Sequence, residues 1–439
     1  MRRFLLLAAL PLGLGCATTV PRARVVLISV DGLWAHDLQR AESAGARLPV
    51  LDSLRRVGIL AEGVIGSLPS VTYPSHTTMV TGVPPARHGV YGNGVFTPPT
   101  TKLPYSLSYW ESAEIRVPTL FDAAHAKGLR VAAVFWPVSA HDSSIDYNIP
   151  DAWDPRPGGR TQLAALRTLG TPWLLDSLGA PAEGEPNDSM RAAWTAGIIR
   201  RWNPDLVVLH VLDVDGAKHD YGPWNDSVVS ALRGVDRGIG IVLASVRETG
   251  ADRQTTVIVT SDHGFLPYRQ QFRPGVLLAR AGLVSLDTAG GDVRSWDAAV
   301  QVNGGSVMIM PRDSTDRTLA ARVRGAIPDT LVGPPEGGRA GGRPIRAIWP
   351  RDTIAMLGGD PRAIWGLDLN EGTYAVSGYT GALFTQRAGG GHGQDPRRPE
   401  LHAFLVMAGP GIERGSSRPL LRQTEIAGIV ARLLGLSGF

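Results

Sequence analysis

The chain has 439 residues, a formal net charge of +4, 43% hydrophobic residues and 19% charged residues. This composition excludes an intrinsically disordered chain, and the length allows one to three globular domains. The small net charge, without a basic arm or an arginine-rich stripe, argues against a partner that is a nucleic-acid polymer.

The N-terminal segment has the pattern of an export signal. Two arginines precede an apolar run from Phe4 to Leu14, and the chain's only cysteine, Cys16, follows it. The run is shorter than the roughly 20 residues of a membrane span and predicts a signal peptide over residues 1–15. Because Cys16 stands where a bacterial lipoprotein carries its lipid, we expect an exported protein, periplasmic or anchored to the outer membrane through Cys16. An ordinary secretory signal with an incidental cysteine is the alternative.

Continuous apolar runs alternate with helical patterns along most of the chain. The runs cover residues 24–30, 130–136, 205–212, 255–260 and 401–408, and the helical patterns cover residues 118–127, 190–202 and 227–249. Fully apolar strands between helices predict an α/β fold with a mostly parallel central sheet flanked by helices.

Two stretches interrupt this alternation. Residues 139–187 are rich in Pro, Gly, Asp and Trp and predict a long loop. Residues 285–380 contain a Gly/Pro-rich part and short apolar runs, and predict an inserted cap-like subdomain. The core would then consist of residues 24–284 and 381–439.

Acidic and histidine residues follow the predicted strands. They are Asp31, Asp215 with His219, Asp262 with His263, and His392 in a Gly-rich loop before the last strand. Ligands of open α/β sheets bind at the carboxyl ends of the strands, so we expect four segments to meet at one sheet edge. Each residue alone has an ordinary explanation, such as a turn, a hydrogen-bonded pair or a helix cap. Their joint placement favours a metal site.

Residues 68–82 predict a loop that enters a helix. In the plain interpretation, Thr72 or Ser75 is the N-cap of that helix. In the functional interpretation, Thr72 is a nucleophile at a helix N-terminus, where backbone N–H groups favour an anion. A threonine hydroxyl is a poor nucleophile at neutral pH, and coordination to a metal is one way to activate it.

These motifs resemble those of the nucleotide pyrophosphatase/phosphodiesterases of the alkaline phosphatase superfamily. Residues 71–82, with Ala-Arg-His-Gly-Val at 86–90 and Asn93, are similar to the nucleophile segment of that family. The other similar segments are Phe-Trp-Pro-Val-Ser at 135–139, Asp-Gly-Ala-Lys-His at 215–219 followed by Tyr-Gly-Pro, Ser-Asp-His-Gly at 261–264 and Gly-His-Gly-Gln-Asp at 391–395. Val138 stands where the family has Gly. The resemblance runs in order from residue 24 to residue 437 and implies an alkaline-phosphatase-like fold.

The resemblance also implies two zinc ions and a role for each matching residue. The implied ligands are Asp31, Thr72, Asp262 and His263 for one zinc, and Asp215, His219 and His392 for the other. Thr72 would be the nucleophile and pass through a phospho-threonine intermediate, while Asn93 would contact a phosphate oxygen. His and carboxylate ligands suit Zn²⁺ better than Mn²⁺. The plain alternative for Asn93 is a turn residue.

Phosphodiester or pyrophosphate bonds of a small-molecule or nucleotide substrate are the expected target. The only cysteine lies in the signal, which argues against the sulfatase branch, and none of the three lysines stands where a monoesterase would hold a phosphate. Tyr73 matches a family aromatic that packs on a nucleobase, although it could simply pack the loop. His210 stands where the family often has a second stacking Tyr, so both are candidate substrate-binding residues.

Three other functions are alternatives. A phosphomonoesterase or phosphonate hydrolase would use the same two-metal site, and a phosphoglycerate-mutase-like enzyme would use two manganese ions and a serine nucleophile. A non-catalytic surface lipoprotein would keep the fold for binding or structure. The presence of every expected ligand type argues against this last alternative.

Overall fold

A computed structural model describes residues 22–101, 107–152, 161–287, 291–333, 343–413 and 417–439. The predicted signal peptide and Cys16 lie outside these ranges. Within them, the helices are all too short or too polar to cross a membrane.

The largest sheet has eight strands and carries the centre of the molecule. In spatial order they are β18 (Ser417–Arg418), β2 (Ile59–Ala61), β17 (Leu405–Ala408), β7 (Thr255–Thr260), β1 (Arg24–Val30), β6 (Leu206–Val211), β4 (Val131–Val134) and β5 (Tyr147–Ile149). The five strands from β7 to β5 are parallel, which confirms the predicted α/β fold. β17, within the last predicted strand, runs antiparallel to both β7 and β2.

Helices cover both faces of this sheet. Those on one face include α2 (Pro49–Val57), α8 (Asp188–Trp202) and α10 (Asp226–Glu248), and those on the other include α3 (Thr72–Thr81), α5 (Leu120–Ala126) and α14 (Glu425–Leu434). β1, β6 and β7 are buried along nearly their whole length because both faces are covered. Each buried Val, Leu or Ile side chain contributes roughly 1.5–3 kcal/mol to folding. Burial of these strands therefore contributes strongly to the stability of the fold.

Polar caps fix where several of these helices begin. The Asn187 side chain accepts from the Met190 N–H at the start of α8, and the Asn225 side chain accepts from the first turn of α10. Thr119 caps α5 through a reciprocal capping box with Asp122. Such caps satisfy backbone donors that have no partner inside the helix.

A second, antiparallel sheet occupies most of residues 285–380. Its strands are β11 (Ala298–Asn303), β12 (Ser306–Pro311), β14 (Trp365–Leu369) and β13 (Ile345–Pro350), in that spatial order. α12 (Leu319–Gly325), α11 (Gly275–Arg280) and α13 (Arg351–Met356) pack beside it. The sheet has a hydrophobic core of its own, which includes Ile309, Val323 and Leu367.

Three small sheets and five short α-helices complete the described elements, together with four 3₁₀ helices at Ser112–Glu114, Asp252–Gln254, Asp329–Leu331 and Pro399–Leu401. β15 (Gly372–Ala375), β8 (Leu266–Phe272) and β16 (Phe384–Gly391) form one sheet, β9 (Val284–Leu286) pairs with β10 (Val293–Trp296), and β3 (Val64–Ile65) pairs with β19 (Leu421–Arg422). The helices are α1 (Asp37–Ser43), α4 (Pro85–His88), α6 (Gln162–Leu169), α7 (Leu174–Ser177) and α9 (Asp213–Tyr221).

The prediction of a long loop over residues 139–187 is wrong in part. This stretch contains the edge strand β5 and the helices α6 and α7. α6 buries Leu163 and Leu166 against the main core. These elements have only three to eight residues, which is too short for a clear periodic pattern.

Candidate active site

Three adjacent parallel strands end at the same edge of the main sheet, and each is followed by predicted ligands. Asp31 comes directly after β1, Asp262 and His263 come just after β7, and Asp215 lies in the first turn of α9, which follows β6. The chain turns sharply after Asp31 because Gly32 has a φ of +67°. A Cβ there would lie 2.5 Å from the Phe265 ring, so this turn requires glycine.

His392 reaches the same place from a different sheet. It follows β16, which pairs with β8 of the small three-stranded sheet. His392 therefore joins the other three segments at this edge, as expected, although the strand before it, β16, belongs to the small sheet and not to the main one. β8 begins three residues after His263, so its pairing with β16 brings His392 back to the main-sheet edge.

Asp31, Asp262 and His263 form the first of two groups that could hold a metal ion, which we call the two ligand sets, and all three residues are buried. His263 Nε2 lies 3.1 Å from Asp262 Oδ2 and 3.5 Å from Asp31 Oδ1. Burial and the neighbouring Asp262 and Asp215 carboxylates raise the pKa of Asp31. Burial also acts to raise the pKa of Asp262, but His263 and His76 outweigh it and hold that pKa well below its usual range. The cluster thus concentrates negative charge that a cation would neutralise.

Asp215, His219 and His392 form the second ligand set. His219 Nδ1 lies 3.0 Å from the Gly390 carbonyl oxygen, and His392 Nδ1 lies 3.0 Å from the Ser70 carbonyl oxygen. A carbonyl only accepts, so each neutral ring carries its proton on Nδ1 and presents a lone pair at Nε2. His219 Nε2 and His392 Nε2 lie 3.2 Å apart, and Asp215 Oδ1 lies 3.7 Å from His392 Nε2. Burial lowers the pKa of His392, which favours this neutral form.

The two sets lie side by side. The His263 and His392 rings stack in parallel with their centroids 3.6 Å apart. The Phe265 ring lies edge-on to both sets, with centroid distances of 5.8 Å to His263 and 5.0 Å to His219. Two cations bound at this edge would therefore both lie next to the stacked His263 and His392 rings.

Thr72 is the first residue of α3 and is 9% exposed. Asn93 Nδ2 donates to Thr72 Oγ1 at 3.5 Å, and Asn93 Oδ1 accepts from the Tyr73 N–H at 2.9 Å. The first backbone N–H groups of a helix lack intrahelical acceptors and, with the helix dipole, favour an anion. The Thr72 hydroxyl, the Asn93 amide and the start of α3 thus form a polar corner suited to a phosphate group.

His210 is placed differently from its expected role. It is completely buried, with Nδ1 3.0 Å from the Phe135 carbonyl oxygen and Nε2 3.0 Å from Asp31 Oδ2. A ring without exposed surface cannot stack on a substrate, so this placement contradicts the substrate-binding interpretation. The His210 side chain instead contacts the Asp31 carboxylate and fixes its orientation. The two residues are close because the register of β6 on β1 pairs His210 with Ser29, two residues before Asp31.

Tyr73 is also buried, with 4% of its surface exposed. It packs with Val90, Tyr109 and Val138, and its hydroxyl lies 3.4 Å from the Asp151 carbonyl oxygen. This placement matches the plain interpretation, in which Tyr73 packs the loop. Val138, which replaces a family glycine, has a φ of +57° and fills part of this apolar cluster.

No role was predicted for His76, whose ring contacts the backbone of Thr72. Its Nδ1 donates to the Thr72 carbonyl oxygen at 2.8 Å and lies 3.8 Å from Asp262 Oδ2. Burial lowers the pKa of His76. Its position one turn after Thr72 in a helix is the only sequence signal for this contact.

The donor set fits metal ions. Within the described ranges, Asp31 Oδ1, Asp262 Oδ2, Asp215 Oδ1 and both ring nitrogens of His263 are buried without a hydrogen-bond partner. Buried polar atoms normally find partners, and a bound cation would supply one to each carboxylate oxygen and to one of the two His263 nitrogens. Imidazole nitrogens and carboxylate oxygens are ligands that Zn²⁺ accepts.

Comparisons with known proteins agree with this geometry. The family model described as type I phosphodiesterase/nucleotide pyrophosphatase matches residues 25–337. The chain is 26% identical over 248 residues to ectonucleotide pyrophosphatase/phosphodiesterase family member 3 of Bos taurus, covering 55% of this chain and 24% of that protein. It is 24% identical over 435 residues to family member 1 of Homo sapiens, covering 94% of this chain and 40% of that protein. The chain thus spans well under half the length of these curated relatives.

Solved structures of ectonucleotide pyrophosphatase/phosphodiesterase 5 share the fold. The murine protein matches with a TM-score of 0.65 and 19% identity, covering 95% of this chain and 96% of that one. An inactive threonine-to-alanine variant of the murine protein in complex with AMP matches with a TM-score of 0.66 and 18% identity, with the same coverage. Because the family model covers most of the chain, this protein belongs to the type I phosphodiesterase/nucleotide pyrophosphatase family, within the alkaline phosphatase superfamily.

Proposed function

We propose that this protein is a two-zinc phosphodiesterase that hydrolyses phosphodiester or pyrophosphate bonds of nucleotides or related small molecules. The observation that carries the proposal is the meeting of two Asp/His ligand sets beside Thr72 at the start of α3. Membership of the family supports the reaction class. The relative solved with AMP as an inactive threonine-to-alanine variant supports a nucleotide substrate and an essential threonine.

Asp31, Asp262 and His263, together with Thr72, would hold one zinc, and Asp215, His219 and His392 would hold the other. Two such metals lower the pKa of bound hydroxyl groups and stabilise the attacking and leaving oxygens of an in-line displacement. The His76 and His210 contacts fix the Thr72 backbone and the Asp31 carboxylate from beneath.

The Thr72 Oγ1 oxygen would attack phosphorus, form a phospho-threonine and expel the first alcohol or phosphate group. Water then hydrolyses the phospho-threonine and restores the hydroxyl. Asn93 Nδ2, already 3.5 Å from Thr72 Oγ1, would donate to a non-bridging phosphate oxygen together with the Thr72 backbone N–H.

The charge around Thr72 favours a diester over a monoester. A monoester dianion needs additional cationic side chains, and Lys218, the lysine that stands between Asp215 and His219 in the described part of the chain, is taken up in a buried pair with Asp37. A diester carries one negative charge fewer, which two metals and Asn93 suffice to hold. The competing monoesterase or phosphonate hydrolase would have to bind its dianion without a lysine at this position.

Thr72→Ala tests the nucleophile. We expect the rate of bis-p-nitrophenyl phosphate hydrolysis to fall by at least about a thousandfold, because alanine has no hydroxyl group to attack phosphorus. Zinc should stay bound. Thr72→Ser keeps a hydroxyl and is the matched control, so it should keep measurable turnover. An alanine variant with full activity would refute the nucleophile assignment.

A substrate panel tests the reaction class. The zinc-loaded protein should hydrolyse bis-p-nitrophenyl phosphate and thymidine p-nitrophenyl phosphate with a higher kcat/KM than p-nitrophenyl phosphate. A clear preference for the monoester would overturn the diesterase proposal. Failure to hydrolyse any of the three, with two zinc ions bound, would favour a binding protein.

We also propose that residues 285–380 act as a cap and that the chain is exported. The antiparallel sheet of this segment reaches the active site through the turn between β11 and β12, where the Gly305 N–H donates to the His392 carbonyl oxygen at 2.7 Å. Export rests on the apolar run at residues 4–14, and a lipid on Cys16 would then tether the enzyme to a membrane. Mass spectrometry of the mature N-terminus tests both cleavage and lipidation.

A further inference from the structure

A buried lysine lies between two ligands of the second set. Lys218 stands on α9 between Asp215 and His219, and only 1% of its surface is exposed. Its Nζ donates to the Gly32 carbonyl oxygen at 2.8 Å and to the Asp37 carboxylate. The ammonium therefore faces the segment after β1.

The segment that receives this ammonium carries Asp31 of the first set. The Gly32 N–H donates to Asp262 Oδ1 at 3.0 Å, so Gly32 touches a first-set ligand on one side and Lys218 on the other. Asp37 Oδ2 also accepts from the Trp34 N–H at 2.9 Å, which closes the segment into a compact turn. One side chain thus joins the helix of the second set to the turn of the first.

Close contacts leave this part of α9 little freedom to move. A Cβ on Gly390 would lie 2.3 Å from the Lys218 carbonyl oxygen, so β16 touches the helix backbone directly. The Lys218 ammonium lies 5.5 Å from the centroid of Phe265, the ring that also contacts His219 and His392. These contacts hold Lys218 in place next to both ligand sets.

A buried ion pair is a costly way to stabilise a fold. Removing a lysine and a carboxylate from water costs several kcal/mol per ion, and apolar side chains of similar volume often serve stability equally well. What the pair supplies here is a fixed geometry between α9 and the turn after β1. Two-metal displacement depends on a metal separation of roughly 3.5–4 Å, so a fixed geometry has a direct chemical use.

We propose that Lys218, paired with Asp37, is a positioning residue that sets the distance between the two metal-ligand sets. The inference rests on the proposed two-metal function and deepens it. Lys218 touches neither substrate nor metal in this arrangement. It acts through Gly32 and Asp31 on one side and through α9 on the other.

The test compares the wild-type protein with the double variant Lys218→Met/Asp37→Asn. Methionine matches the length of the lysine stem, and asparagine keeps an oxygen that accepts from Trp34, so no unpaired charge is left buried. We expect equilibrium titration to show two zinc sites, with the weaker one losing about 10–100-fold in affinity, as for other residues that orient metal ligands. With both sites saturated, kcat should fall about 10–100-fold while KM changes little.

Cobalt substitution gives a readout that a purely structural role would not change. Magnetic coupling between two bound Co²⁺ ions depends on their separation, so we expect the spectrum of the dicobalt double variant to differ from that of the wild type. Lys127→Met is the matched control, because the Lys127 ammonium donates to the Leu434 and Gly435 carbonyl oxygens at the end of α14 and not to either ligand set. This control should keep the wild-type zinc affinity, kcat and cobalt spectrum.

Two outcomes would overturn the proposal. One is a double variant with wild-type zinc affinity, kcat and cobalt spectrum, and the other is a defect confined to thermal stability. Asp37→Glu keeps both buried charges but moves the carboxylate by one methylene, so it should show the same changes in milder form if the double variant does not fold. Zinc titration and the cobalt spectrum need no turnover, so they test Lys218 even if the protein hydrolyses none of the diesters above.

Discussion

The two ligand sets differ in how they meet solvent. Asp31, Asp262 and His263 are completely buried at the edge of the main sheet, whereas the side chains of His219 and Asp215 are 32% and 18% exposed. The first set is built from adjacent parallel strands, and the second combines a short helix with a loop of another sheet. In the proposed mechanism, the buried set suits the activation of Thr72, and the more open set suits the arrival of water and the departure of the leaving group.

Removing one ligand from each set gives the largest expected effects. Asp262→Asn removes a charge that faces His263 and His76, and we expect kcat to fall about a thousandfold or more, since metal stabilisation is worth several kcal/mol and 1.4 kcal/mol is tenfold. His219→Asn should also abolish most turnover but leave the buried set able to bind zinc. Metal analysis should then find close to one zinc per chain. Equal loss of both metals in the two variants would contradict the difference between the sets.

A chelator should remove zinc from the two ligand sets of the wild-type protein at different rates. The exposed set can be attacked by a chelator directly, whereas the buried set must first open. We expect zinc release into excess EDTA to be biphasic, with one equivalent leaving at least about tenfold faster than the other. His219→Asn should lack the fast phase. A single phase of two equivalents would show that the two sets exchange as a unit.

A smaller effect is expected from Asp368, which supports the loop of the open set. Asp368 Oδ1 accepts from the Asp395 N–H, three residues after His392, and burial raises the pKa of this carboxyl to about 6. The folded state therefore binds the proton more tightly than the unfolded state. This stabilising contribution is complete below the unfolded pKa of about 3.9 and is lost as the pH rises through about 6.

Asp368→Asn should remove this pH dependence. At pH 4 the variant and the wild type should have similar free energies of unfolding, and above pH 7 the variant should be more stable by at most about 3 kcal/mol. Urea denaturation at the two pH values measures the difference, and Asp352→Asn on the surface of α13 is the control. A stability difference that does not grow with pH would contradict the assignment.

Local pattern was enough to predict the centre of the fold. β1, β6 and β7 were predicted from continuous apolar runs. The position of the candidate ligands that follow them was predicted from the rule that parallel strands present their carboxyl ends at one edge of the sheet. The short elements between residues 139 and 187 were missed because periodicity needs longer segments. The family resemblance supplied the roles of Thr72 and Asn93, which spacing alone could not assign.

Pairing between distant segments accounts for what the sequence could not show. The roles of His210 and Lys218 follow from the register of β6 on β1 and from the packing of α9 on the turn after β1. His392 depends on the pairing of β16 with β8. None of these contacts has a local signature, because each joins residues more than 100 positions apart.

The spacing of the ligands also bears on biosynthesis. Asp31 and His392 are 361 residues apart, so at roughly 5–20 residues per second a ribosome needs about 20–70 s to deliver the last ligand after the first. The second set cannot bind metal tightly until β16 has paired with β8. A nascent or truncated chain therefore lacks a complete metal centre, and any hydrolytic activity would begin only once the polypeptide is almost fully synthesised.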